Sequence, residues 1–477
     1  MAMMPIGAAI RWLAERDPGR PSITIVPTPQ TPDVQRRTIT RVELELHTNK
    51  LARTYERMGV KEGDFVTIGL PNSIEFFEAC IAAWKLGAVP QPVSYRLPDR
   101  ERQEIIELAK PSLVVTSVID ADPDVSDEPL LPDRTSPSMK APTSGGSTGR
   151  PKIIVAGQPG LTDPENAGLG GLFGAPPDGV QLVPGPLYHN GPFVFSTGGL
   201  FIGQHLVVMP RFDPVTTLQA FEEFSVDFAM LVPTMMTRML KVPDRERYDL
   251  SSLKGILHLA APCPPHVKEG WIDWIGAEKV WELYAGTEAQ GVTIISGTEW
   301  IAHRGTIGKP AEGSMRVTDA DGNEMPRGEV GEIWMKVGDV PTYRYIGAEA
   351  RSRDGWESLG DMGWMDEDGY LYIADRRTDL ILAGGANIYP AEVEAALEEH
   401  PAVLSCAVIG IPDEDLGQRV HALVQLSDDS VTDDDLRVFL KDRLVQYKIP
   451  RSFERSDGPV RDDAGKVRRS ALVEERS

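Results

Sequence analysis

The chain has 477 residues, 41% of them hydrophobic, which is enough for a large core and a size that favours two to four domains over a disordered chain. A net charge of −22 works against nucleic acid and anionic lipid as partners, and Cys80, Cys263 and Cys406 lie too far apart for metal spacing, so free buried thiols are expected and a structural zinc is not. No apolar run reaches about 18 residues and Met1-Ala2-Met3-Met4-Pro5 lacks the regions of a signal peptide, so the expectation is a cytoplasmic protein without stable membrane insertion.

Along the chain, residues 65–70 and 113–115 read as buried strands, with a helix over 76–86 between them that Gly87 closes. The stretch 120–137, rich in Asp and Pro, reads as an exposed connection, and 157–179, dense in Gly and Pro, as a long mobile loop of the kind that serves as a lid. Further strands are expected at 206–209, 228–232 and 255–259, with a helix over 216–224. Residues 372–379 are charged between two apolar stretches, as a connection between domains would be. Beyond Gly384 follow a helix over 391–400, strands at 406–411 and 422–425, and a helix over 433–444. The expected fold is α/β, with a large multi-subdomain N-terminal domain of mixed sheets (1–376) and a small α+β C-terminal domain (377–477). Cations crowd the C-terminal end at Lys441, Arg443, Lys448, Arg451, Arg455, Arg461, Lys466, Arg468 and Arg469. They either gather positive charge for an anionic ligand or form a solvated basic tail.

The run Pro142-Thr143-Ser144-Gly145-Gly146-Ser147-Thr148-Gly149-Arg150-Pro151-Lys152 combines glycines, which let backbone N–H groups approach an anion, with rotating hydroxyls and a terminal cation. A Gly/Ser linker has the same composition, but this run leads directly into the apolar Ile153-Ile154-Val155. It is not a Walker-type loop, because Arg150 and Pro151 separate Gly149 from Lys152.

Residues 144–152 instead resemble the phosphate loop of the adenylate-forming superfamily, which includes acyl-CoA synthetases, adenylation domains and beetle luciferases. Further motifs follow in that superfamily's order. Pro186-Leu187-Tyr188-His189-Asn190-Gly191 looks like the element beside the acyl pocket, and Ala260-Ala261-Pro262 like the strand end along adenine. Trp281 to Glu288, with Glu282, Tyr284, Ala285, Gly286, Thr287 and Glu288, resembles the Tyr-Gly-x-Thr-Glu motif, with alanine at 285 where glycine is usual. Leu359-Gly360-Asp361 looks like the ribose element and Asp375 to Asp379 like the hinge, with Thr378 where Asp or Lys is usual. Gly384-Gly385 with Pro390 to Glu394 looks like the start of the mobile C-terminal domain. Asp463-Ala464-Gly465-Lys466 resembles the loop of the catalytic lysine, with a more acidic lead-in than usual.

By this resemblance, Lys466 bridges carboxylate and α-phosphate, Thr287 donates to the α-phosphate and Glu288 holds Mg2+. Ser144, Gly145, Gly146, Ser147, Thr148, Gly149 and Lys152 cradle the β- and γ-phosphates. Ala260, Ala261, Pro262, Glu282, Tyr284, Ala285, Gly286, Asp361 and Arg376 bind the rest of ATP. Tyr188, His189, Asn190, Phe193 and Val194 line the acyl pocket, Thr378 is the hinge, and Gly384 and Gly385 border coenzyme A. Each has a plainer reading as a core aromatic, a turn residue or a solvated charge, and only the joint pattern outweighs it.

The chemistry accounts for the absence of a triad, since a carboxylic acid with pKa about 4.3 is already ionised and attacks ATP without a general base. The barrier is the approach of an anion to a polyanion. The resemblance implies an ATP-dependent acid-CoA ligase that forms an acyl-AMP and then a thioester, releasing pyrophosphate and AMP. It is nearest the bile acid-coenzyme A ligases through residues 185–189, 375–378 and 411–417, which points to a bulky hydrophobic acid such as a steroid or bile acid. The alternatives are an enzyme that loads a fatty or aryl acid onto a carrier protein, and a non-catalytic or luciferase-like homologue. The implied ligands are ATP, Mg2+, coenzyme A and the acid, with a homodimer left open.

Overall fold

Aliphatic runs separated by helices pair as parallel strands, because each crossover returns the chain to the same end of the sheet. In the computed structural model, which describes residues 3–145, 151–383, 386–413, 416–462 and 465–476, such runs build the central sheet. Its eight strands lie in the order Val292–Ser296, Val280–Ala285, Gly255–His258, Phe228–Leu231, Val180–Val183, His205–Val208, Pro21–Ile25 and Arg37–Thr40. The inner pairs are parallel and the two edge pairs antiparallel. A second parallel sheet sets Phe65–Ile68 between Val89–Pro92 and Leu113–Val115. The helix Ile74–Lys85 starts where the Ser73 side chain accepts from Phe76 N, and it buries Phe76, Phe77 and Trp84 in the main core. Gly87 follows at φ +70°, where a side chain would be strained.

Two antiparallel sheets complete the N-terminal part. One joins Thr143–Gly145, Pro151–Ala156 and Tyr343–Ile346, and the other, centred on Gly331–Lys336, carries Asp361–Met365 and Leu371–Arg376. Past the turn at 377–379, a five-stranded sheet with the long hairpin Val403–Asp413 and Gly417–Leu426 packs under Pro390–Glu398 and Asp433–Lys441. Ile381, Val393, Leu397, Cys406, Val408 and Leu436 give this unit its own core, the mark of a separate domain. The chain is thus α/β, with a large N-terminal part of several sheets and a smaller α+β C-terminal part.

Three expectations need correction. Residues 157–179 are not an open loop: Leu161–Thr162 pairs with Met4–Pro5, Gly168–Leu172 is helical, and Phe173 is fully buried. The C-terminal cations are mostly committed to acidic neighbours, with Arg443 on Glu399, Lys448 on Glu392, Arg455 on Asp433, and Arg461 and Arg469 on Glu394. Cys80 and Cys406 are buried free thiols as expected, whereas Cys263 is only half-buried.

Candidate active site

Ligands of parallel sheets collect beyond the carboxyl ends of the strands. Here Gly255–His258 and Val280–Ala285 run side by side and continue into Ala260-Ala261-Pro262 and Gly286-Thr287-Glu288. Ala260 is exposed at φ +80°, a left-handed conformation that costs an alanine energy and is typical of binding sites. A Cβ on Gly286 would lie 2.3 Å from Leu359 Cδ1 and 2.9 Å from Glu288 Oε2, so a larger residue there would displace both side chains. Ala285 pairs with Val292 as ordinary strand and needs no glycine. Glu282 departs from its expected role. Its buried carboxylate accepts from Lys268 Nζ at 2.6 Å, beside the fully buried His258, so it braces the strand ends from below. Burial raises the pKa of Glu282 and lowers that of His258, in each case disfavouring the charged form.

At the mouth of these strands Tyr284 OH donates to Asp361 Oδ2 at 2.7 Å, and Arg376 Nε stands 3.5 Å from Asp361 Oδ1. Strand register sets this grouping, since Asp361 and Arg376 are directly paired. Burial, followed by Asp361, raises the Tyr284 pKa far above the ordinary phenol value and keeps it a donor.

Next to them Glu288, 5% exposed, accepts from Tyr345 OH at 2.6 Å and from Lys152 Nζ at 3.1 Å. Lys152 also donates to Tyr345 OH at 2.9 Å. Ser144 pairs with Lys152 across the antiparallel strands Thr143–Gly145 and Pro151–Ala156. Gly146, Ser147, Thr148 and Gly149 lie outside the described residues, as do Gly384 and Gly385. Thr287 is half-exposed beside Glu288.

Tyr188, His189 and Asn190 sit half-exposed at the start of the helix Asn190–Phe201, with the Tyr95 ring 6.3 Å from Tyr188. Desolvation, followed by Lys466, lowers the His189 pKa to about 3 and leaves the ring neutral. Val194 is half-exposed, but Phe193 turns inward: it is fully buried against Phe76 and Trp84 and belongs to the core rather than to a pocket wall.

The lysine loop meets this assembly from the C-terminal domain. Asp462 Oδ2 is 3.7 Å from His189 Nε2, and Asp462 Oδ1 accepts from Lys466 N at 2.8 Å. Gly465 takes φ +75° against Thr234, where a Cβ would come within 3.0 Å of Oγ1. Lys466 is exposed, yet desolvation and then Arg376 lower its pKa, while Asp462 and Glu288 oppose them. Arg461 and Arg469 anchor the loop on Glu394, and Arg469 also reaches Asp379 at 2.7 Å. Thr378 is exposed in the turn, its hydroxyl 3.2 Å from Asp379 Oδ1.

Sequence reasoning missed Tyr345, Thr234, Lys268 and Lys140. None of them carries a local signal; Lys140, for one, lies in the mixed run Ser136-Pro137-Ser138-Met139-Lys140-Ala141-Pro142-Thr143.

The AMP-binding enzyme family matches residues 10–340 and the AMP-binding enzyme C-terminal domain matches 392–466. A feruloyl-CoA synthase of Amycolatopsis sp is 31% identical, covering 90% of this chain and 92% of its own length. The fatty acid–[acyl-carrier-protein] ligase ScoC of Streptomyces coeruleorubidus is 28% identical over 93% of both chains. The solved structure of O-succinylbenzoate coenzyme A synthetase from Bacillus subtilis, in complex with ATP and magnesium ion, superimposes with a TM-score of 0.78 at 26% identity, covering 99% of this chain and 100% of that one. The chain therefore belongs to the AMP-binding enzyme family, the adenylate-forming superfamily, and is an AMP-forming acid-CoA ligase.

Proposed function

We propose that the enzyme activates a bulky hydrophobic carboxylic acid, of the steroid or bile-acid type, as an acyl-AMP and transfers the acyl group to coenzyme A. The adenylation step is supported by the Tyr284–Asp361 hydrogen bond together with the approach of the Lys466 loop, whose Asp462 Oδ2 lies 3.7 Å from His189 Nε2. In this reading Tyr284 lies against adenine, Asp361 and Arg376 take the ribose, and Lys152 with the glycine-rich run before it takes the outer phosphates. The ionised acid enters past Tyr188 and His189 and attacks the α-phosphorus. Lys466 and Thr287 stabilise the charge that gathers there as pyrophosphate departs.

Glu288 would hold magnesium, which supplies charge neutralisation on the phosphates when bound. A single carboxylate suits an ion carried mainly by phosphate oxygens, and among the described residues no cluster of three or more His, Cys, Asp or Glu side chains forms a metal site of its own. Thioester formation requires the lysine to withdraw, with Thr378 as the pivot and Gly384 and Gly385 bordering the incoming thiol.

The acid class is supported by the aromatic pair Tyr95 and Tyr188, which offers apolar surface beside the polar Asn190. A second reading, an acyl group delivered to a carrier protein, is favoured by the likeness to ScoC. The test compares kcat/KM for cholate, another C24 steroid acid, fatty acids of graded length, benzoate and ferulate, each with coenzyme A and with a carrier protein. Steroid acids with coenzyme A should lead. Preference for aryl or short acids would overturn the steroid reading alone, whereas release of ADP and orthophosphate would overturn the adenylation chemistry.

A further inference from the structure

Three buried lysines lie close to the core of the N-terminal part, and two of them are closed by a carboxylate. Lys85 Nζ is 2.6 Å from Glu45 Oε2, and Lys268 Nζ is 2.6 Å from Glu282 Oε2. Lys140 differs. It is 7% exposed, and its ammonium donates to Asn190 Oδ1, a neutral oxygen on the first residue of the helix Asn190–Phe201. Among the described residues no carboxylate lies within bonding distance of it. The acidic group that acts on it electrostatically is Glu288, which already accepts from Lys152 and Tyr345. The positive end of the helix dipole adds to the excess. Burial lowers the Lys140 pKa to about 8, with Glu288 pulling the other way.

A buried cation left without a counter-ion is costly, and retaining one in a chain of net charge −22 makes physical sense where an anion arrives during the reaction. Lys140 occupies that place. It is fixed from behind, because its carbonyl accepts from Ser138 Oγ at 2.9 Å and from Ala156 N at 3.0 Å, and its side chain spans from the strands around the glycine-rich run to the acid-binding element at Asn190. We propose that Lys140 is a positioning residue of the adenylation step: through Asn190 and its unneutralised charge it draws the substrate carboxylate toward the α-phosphate without touching it. This rests on the reading of Tyr188 to Asn190 as the acid-binding element.

The test uses the full-length enzyme with ATP–pyrophosphate exchange, thioester formation from synthetic acyl-AMP, and thermal melting. Lys140→Gln keeps a donor for Asn190 but removes the charge. Its kcat/KM for the acid should fall about tenfold through KM, the scale of one fixed charge acting through protein, with KM for ATP and the thioester step within about twofold of wild type. Asn190→Asp gives Lys140 the carboxylate it lacks. It should melt higher than wild type yet bind the acid less well, and the loss in Lys140→Gln, which adds no negative charge, separates the effect of Lys140 from simple repulsion by the new carboxylate. Wild-type acid KM in Lys140→Gln, an equal loss in both half-reactions, or an unharmed Asn190→Asp would each overturn the proposal. A wild-type enzyme that exchanges no pyrophosphate with any acid would strike the adenylation reading itself, and the proposal with it.

Discussion

Around Tyr284 and Glu288, the polar groups are held by other groups of the N-terminal part: Asp361 takes Tyr284, Lys152 and Tyr345 take Glu288, and Lys268 braces Glu282 beneath. Lys466 arrives instead on a loop of the C-terminal domain that touches this assembly through Gly465 on Thr234 and Asp462 near His189. The side around Tyr284 and Glu288 is assembled by burial and strand register, and the lysine side by the docking of a separate body. Substitutions on the first side should therefore change stability or ATP affinity, whereas those on the second should change one half-reaction and leave the fold intact.

The most disruptive change expected is Lys268→Met. It leaves Glu282 buried without its partner, which costs about 3–5 kcal/mol. Melting followed by calorimetry should show the N-terminal transition move down while that of the C-terminal domain, with its own core, holds. A single unshifted transition would break the contrast. Lys466→Ala comes next, with pyrophosphate exchange lowered about 10²–10³-fold, the scale of losing one preorganised electrostatic donor. Thioester formation from supplied acyl-AMP should persist, and equal losses would make the lysine structural. Gly465→Ala places a Cβ against Thr234 at a left-handed position, so adenylation should fall about tenfold, a cost of one to a few kcal/mol in docking. Adding Thr234→Ala should recover part of it, and no recovery would remove that contact from the docking surface. Tyr284→Phe deletes one hydrogen bond of about 1 kcal/mol. It should raise KM for ATP roughly fivefold and leave KM for the acid unchanged, as titration of initial rates against each substrate will show.

What the sequence disclosed was local. The glycine-rich run, the Tyr284 to Glu288 run and the Gly465-Lys466 pair are short stretches of distinctive composition, and the order of such stretches led to the family. Contacts across long separations were hidden: Lys152 and Tyr345 are 193 residues apart and meet only because their strands pair. Phe193 and Glu282 were misplaced for a related reason. A motif says which residues are present, but the face of a helix or strand that looks inward depends on what packs there, here Phe76 and Trp84 for one and Lys268 for the other. The 157–179 segment read as loose because glycine and proline are common in loops, whereas Gly174 is needed so that the chain can pass close to the backbone of Lys254.

Glu394, fully enclosed in the C-terminal domain, receives Arg461 from one end of the lysine loop and Arg469 from the other. Where Lys466 points is thereby decided by the domain's interior more than by the residues that immediately precede it. The lead-in can then drift in sequence, even toward the acidic Asp462-Asp463 found here, without misaiming the ammonium, so long as the two arginines and their shared carboxylate are inherited together.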